Sequence, residues 1–158
     1  MSSYIEFYLR KGENYLPLGA WSRNSKLYEV FKDFAEYGVA TPITRKIISM
    51  IYTNINENIT DLKKQIKKCK KSIKFFNKSH LSYEDLIEGY NSFQLDIEDY
   101  KEELTALKRT KAWAYALNEI LLEAESTCYE DDESLHINPD EYIYVGIDCG
   151  NPQSKTKD

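Results

Sequence analysis

Two runs of apolar residues, each alternating steps of four and three, constrain this chain more than any other feature. The first is Ile48, Tyr52, Ile55, Ile59, Leu62, Ile66, Cys69, Ile73 and Phe76. The second is Leu86, Tyr90, Phe93, Ile97, Tyr100, Leu104 and Leu107. That alternation is the heptad seam of a coiled coil. Ile73 with Leu86, Ile66 with Phe93, Leu62 with Ile97 and Ile55 with Leu104 have residue numbers of constant sum. A constant sum is the requirement for two helices folded back on each other. The spacing therefore predicts a long antiparallel helical hairpin that reverses near Ser79–His80. The first helix, ending near Phe76, would be on the order of 50 Å long at 1.5 Å per residue. Ser82 followed by Asp85 resembles a capping box for the second, with Asp in place of the usual Glu.

After Leu107 the seam changes. A strict heptad would bury Lys111 and Asn118. Ala114, Leu117, Leu121 and Ala124 carry the stripe instead, with Trp113, Ile120 and Leu122 on other faces. A helix apolar on several sides is covered on several sides. The expectation is an arm at 44–107 projecting from a head made of 1–43 and 108–150, in one domain, with the second helix reaching about Ala124.

The head reads as a small sheet. Ile5, Phe7 and Leu9 alternate with Tyr4, Glu6 and Tyr8, the pattern of a half-buried strand. Residues 10–14 form a turn and Tyr15–Trp21 a second strand, where Pro17 implies an edge or a bulge. Ser22–Ser25 offers caps for a short helix carrying Leu27, Val30, Phe31 and Phe34, ended by Gly38. Thr41-Pro42 reads as cap and first residue of the long helix. Residues 142–149 alternate again, with Ile143, Val145, Ile147 and Cys149 on one side. The fold class is α+β: an antiparallel sheet of the N-terminal hairpin plus a C-terminal strand, a short helix, and the helical hairpin. Residues 151–158 are polar and read as a disordered tail.

Composition narrows the function. No run approaches the roughly 18 uncharged apolar residues of a membrane span. The first residues lack the basic start and apolar core of a signal peptide. Three cysteines without a CxxC pair suit a reduced, cytoplasmic protein, with Cys69 acting as a small apolar seam residue. The net charge of −5 conceals segregation. Residues 61–78 hold eight Lys and one Asp; residues 84–103 hold eight acidic residues and one Lys. By heptad position Lys64, Lys67, Lys68, Lys71 and Lys74 point away from the facing helix. So do Glu88, Glu98, Asp99 and Glu102. The arm should show one basic and one acidic ridge, with Phe75 and Leu95 as off-seam apolar residues suited to protein docking. A solvated surface is the plain alternative.

Other constellations are weaker. Trp21, Arg23, Asn24, Ser25 and Lys26 place cations and N–H groups at a helix start, which can hold an anion or simply cap the helix. The acidic run 130–133 lacks the spaced ligands and glycine of a calcium loop, and no metal site or cofactor is expected. Cys149 with His136 is the sole nucleophile and base pairing to consider; His80 lies at the arm tip. P-loop, GxGxxG, HExxH and GxSxG motifs are missing. The expectation is a non-catalytic protein that docks another protein through its arm or head, with a homodimer possible. The alternatives are a phage or mobile-element inhibitor of nucleic-acid machinery, such as a defence nuclease, and direct nucleic-acid binding through the lysines.

Overall fold

A computed structural model describes residues 3–78, 82–130 and 141–150. The expected reversal at 79–81, the connector 131–140 with His136, and the tail 151–158 lie outside the described residues. The architecture is α+β. In order come β1 (Tyr4–Lys11), β2 (Asn14–Ser22), α1 (Lys26–Phe31), a 3-10 turn (Lys32–Phe34), β3 (Thr41–Pro42), α2 (Arg45–Lys78), α3 (Tyr83–Glu130) and β4 (Ile143–Ile147). The chain forms two compact units, Met1–Thr53 with Thr110–Asp158, and Asn54–Arg109.

The first unit holds an antiparallel sheet in the order β2-β1-β4-β3. Gly12, with a φ of 62°, makes the left-handed turn of the β1–β2 hairpin. A bulge opposite Phe7 and Tyr8 absorbs Pro17, which cannot donate to a ladder. β4 pairs with β1 in the register Ile5–Ile147, Phe7–Val145 and Leu9–Ile143. On that face the Phe7 ring meets Phe31, Trp113 and Trp21 edge-on at centroid distances of 5.2, 5.5 and 5.6 Å. Edge-to-face rings align the positive rim of one with the negative face of another. Burying Phe7 fully contributes about 2–3 kcal/mol. Ile48, Ile51, Ala114, Leu117 and Leu121 are buried in the same unit.

Several expectations about the sheet are corrected. β4 is buried at all five residues and lies between β1 and β3 as a central strand. A fourth strand exists: Thr41-Pro42 pairs with Val145 and Tyr144 and does not start the long helix. Pro fits there because this short strand is an edge. The cap is Thr44, whose Oγ1 accepts from Ile47 N at 3.2 Å. Gly38 does not end α1, whose turns finish at Phe34; it makes a left-handed turn between the bridged Glu36 and Val39. Cys149 lies on the other face from Ile143, packed with Tyr8, Ala40 and Tyr144. The left-handed backbone of Asp148, φ 49°, rotates the chain out of strand alternation.

α2 and α3 form the antiparallel helical hairpin. In the second unit Ile66, Cys69 and Ile97 are buried together, with Ile73, Phe93, Tyr100 and Leu104 packed on them. Ser82 opens α3 as expected, its Oγ donating to Asp85 Oδ2 (2.7 Å) and accepting from Asp85 N (3.3 Å). Two seam residues differ from expectation. Ile51 takes the buried place and leaves Tyr52 half-buried, its ring under the Lys111 ammonium at 5.2 Å. Tyr90 is exposed, with its hydroxyl bonded to Gln94 Nε2 at 3.0 Å, because a phenol keeps its polar end in water. α3 also runs past Ala124 to Glu130.

Candidate functional site

The seam residues of α2 turn inward and leave the intervening positions to solvent. Lysine fills them at little cost, since its unbranched stem loses few rotamers in a helix. Lys64, Lys67, Lys68, Lys71 and Lys74 are all exposed. None makes an ion pair with a described residue. Phe75, on the heptad position of Lys68, is 71% exposed. On α3, Glu88, Glu98, Asp99 and Glu102 are exposed in the same way. The structure thus brings the sequence-selected lysines and Phe75 onto one helix surface. Their charges stay hydrated, and their field reaches about 8 Å at physiological salt.

The Trp21–Lys26 segment is built differently. Trp21 sits against Phe7 and Trp113, its ring 4.7 Å from Trp113. Ser25 Oγ caps α1 by accepting from Tyr28 N (3.2 Å) and donates to the Ser22 carbonyl (2.7 Å). Arg23 N donates to the Ser3 carbonyl, and Lys26 pairs with Glu29 at 3.4 Å. Arg23 and Asn24 are exposed, while Trp21 is half-buried. The segment forms a capped turn rather than a ring of groups converging on one point.

A third cluster went unread in the sequence. On the sheet face opposite the Phe7 cage, Glu6 Oε2 accepts from the Tyr8 hydroxyl at 2.7 Å and from Cys149 Sγ at 3.2 Å. The Tyr8 hydroxyl also lies 3.1 Å from the Gly150 carbonyl. Burial first, then the Glu6 carboxylate, push the Cys149 thiol up to about 11 and the Tyr8 phenol well above its ordinary value. Both therefore stay protonated at neutral pH, and Cys149 lacks the thiolate of a reactive cysteine. Arg10 reaches the Tyr144 hydroxyl (3.1 Å), the Gly12 carbonyl (3.0 Å) and Glu141 (3.6 Å). This network ties residues 141–150 across β1. Glu6, a carboxylate between two buried strand residues, was the signal in the sequence that could have exposed it.

A shallow groove of about 300 Å³ lies elsewhere in the same unit, lined by Ile48, Ser49, Tyr52, Thr53, Tyr115 and Asn118. Among the described residues no group of three or more His, Cys, Asp and Glu side chains is placed to hold a metal ion. Among them, too, no helix is long and apolar enough to cross a membrane. Compared with known protein families, curated proteins and solved structures, the chain matches none.

Proposed function

We propose that this protein is a non-catalytic binding module that docks an acidic protein surface on the lysine ridge of α2. The observation behind it is the set of five exposed lysines without a described acidic partner, on a hairpin whose other helix carries exposed carboxylates. A merely solubilising surface intersperses both signs; this one segregates them. Phe75 supplies an apolar contact that simple solvation does not need. Long-range attraction would speed encounter, and burial of Phe75 would slow release.

The test is capture from lysate of cells that co-express an untagged copy of the chain. The immobilised bait is either the wild type or the variant Lys64→Glu, Lys67→Glu, Lys71→Glu, Lys74→Glu. Captured proteins are identified by mass. The expected result is a protein held by the wild type at low salt and released by the fourfold variant. A control reversing Lys11 and Lys32, exposed in the other unit, should retain it. Equal capture by all three baits would refute the reading. Capture of RNA or DNA in place of protein would move it to nucleic-acid binding, with the steep salt dependence of phosphate contacts.

A further inference from the structure

We infer that the acidic surface recognised by the lysine ridge is the acidic ridge of α3 on a second copy of this chain. The inference rests on the reading above that the ridge docks a partner, and it names that partner. Lys68, Lys71 and Lys74 follow one another in three-residue steps along α2. Asp96, Asp99 and Glu102 do the same along α3. All six are exposed, and none is ion-paired with a described residue. Each row covers about 9 Å of helix, so the two helices carry opposite charge over matching lengths. Each ridge also carries one apolar side chain outside the seam, Phe75 at 71% and Leu95 at 61% exposure.

The hairpin geometry says how two copies can meet. In an antiparallel helix pair the c positions of both helices share one broad side. By the heptad register Lys68 and Phe75 are c on α2, and Asp99 is c on α3. Lys68 and Phe75 of α2 and Asp99 of α3 therefore share that side. A two-fold axis parallel to the hairpin's long axis, beside that broad side, lays α2 of one copy along α3 of the other, and its mate repeats the contact. Such an interface is isologous and closes at two chains. Within one chain these lysines and carboxylates make no ion pair with a described residue, which keeps both ridges available.

Sedimentation and light scattering on the full chain test this. At low salt and tens of micromolar the wild type should have twice the mass of one chain, and raising salt should weaken association about tenfold or more through screening. Lys68→Glu, Lys71→Glu, Lys74→Glu makes both ridges acidic. Asp96→Lys, Asp99→Lys, Glu102→Lys makes both basic. Each variant alone should have the mass of one chain, with helical content retained by circular dichroism. Mixing them one to one should restore the doubled mass. A wild type that stays monomeric at low salt overturns the inference whether or not the variants fold. So does a doubled mass that survives both charge reversals, or a mixture that remains monomeric. Ridge-dependent capture of a different acidic protein would leave the docking reading standing while this one falls.

Discussion

Asp148 and Gly146 decide what one face of the sheet becomes. Asp148 holds its left-handed backbone with two bonds to Tyr4: its N–H donates to the Tyr4 carbonyl (2.9 Å), and its Oδ1 accepts from Tyr4 N (2.8 Å). That turn sends Cys149 over Gly146. A Cβ at Gly146 would lie 2.6 Å from the Val39 carbonyl and 2.9 Å from Cys149 Sγ. Gly146→Ala should therefore cost about 1–3 kcal/mol in chemical denaturation, the range for overpacked cores. Cys149 adds a pH prediction. Its thiol is raised from 9.0 to about 11, so the folded protein binds that proton more tightly than the unfolded chain. The resulting stability is whole below about pH 9 and declines as pH rises through about 11. Wild-type protein should lose stability more steeply over that window than Cys149→Ala; parallel curves would show that the thiol is not coupled to folding. Strand alternation alone put Cys149 on the wrong face, because a period of two says nothing of a residue that leaves the strand through a positive φ.

At the scale of elements, the paired seams carried most of the legible information. Leu62 is buried as its heptad place requires. Leu62→Ala should destabilise by about 2–5 kcal/mol. A loss below about half a kcal/mol in denaturant titration would mean that the seam does not close there. Thr44→Ala should cost about 1 kcal/mol through loss of the cap. The seam also marks where the units divide. On α3 the seam passes Leu104, Leu107, Thr110 and Ala114, so a step of three follows a step of three. On α2 Ile51, Ile55 and Ile59 give two steps of four. Such phase slips rewind a coiled coil locally, and Thr53/Asn54 and Arg109/Thr110 are the unit borders. The slip after Leu107 was readable, but a buried threonine was not, since its type gives no hydrophobic signal. β3 was missed for a related reason. Two residues are too few to show a period, and Thr-Pro resembles a helix start as much as an edge strand.

For the whole molecule, charge was legible in outline because heptad position tells outward from inward without coordinates. The fourfold reversal of Lys64, Lys67, Lys71 and Lys74 to Glu should therefore leave the melting temperature within a few degrees, exposed charges being worth about 0–1 kcal/mol each. A collapse of the melting transition would mean that these lysines hold the hairpin together. The Glu6–Tyr8–Cys149 network was not legible, since its members are brought together only by pairing of strands more than a hundred residues apart. That pairing has a consequence for biogenesis. β4 lies between β1 and β3, yet it is translated after both long helices. At roughly 5–20 residues per second, β1 and β2 wait on the order of ten seconds for their neighbour. Throughout that interval the inner edge of β1 is an open template beside the Phe7 surface. The nascent chain thus presents one open edge of β1 until β4 is made, and slower synthesis lengthens that exposure.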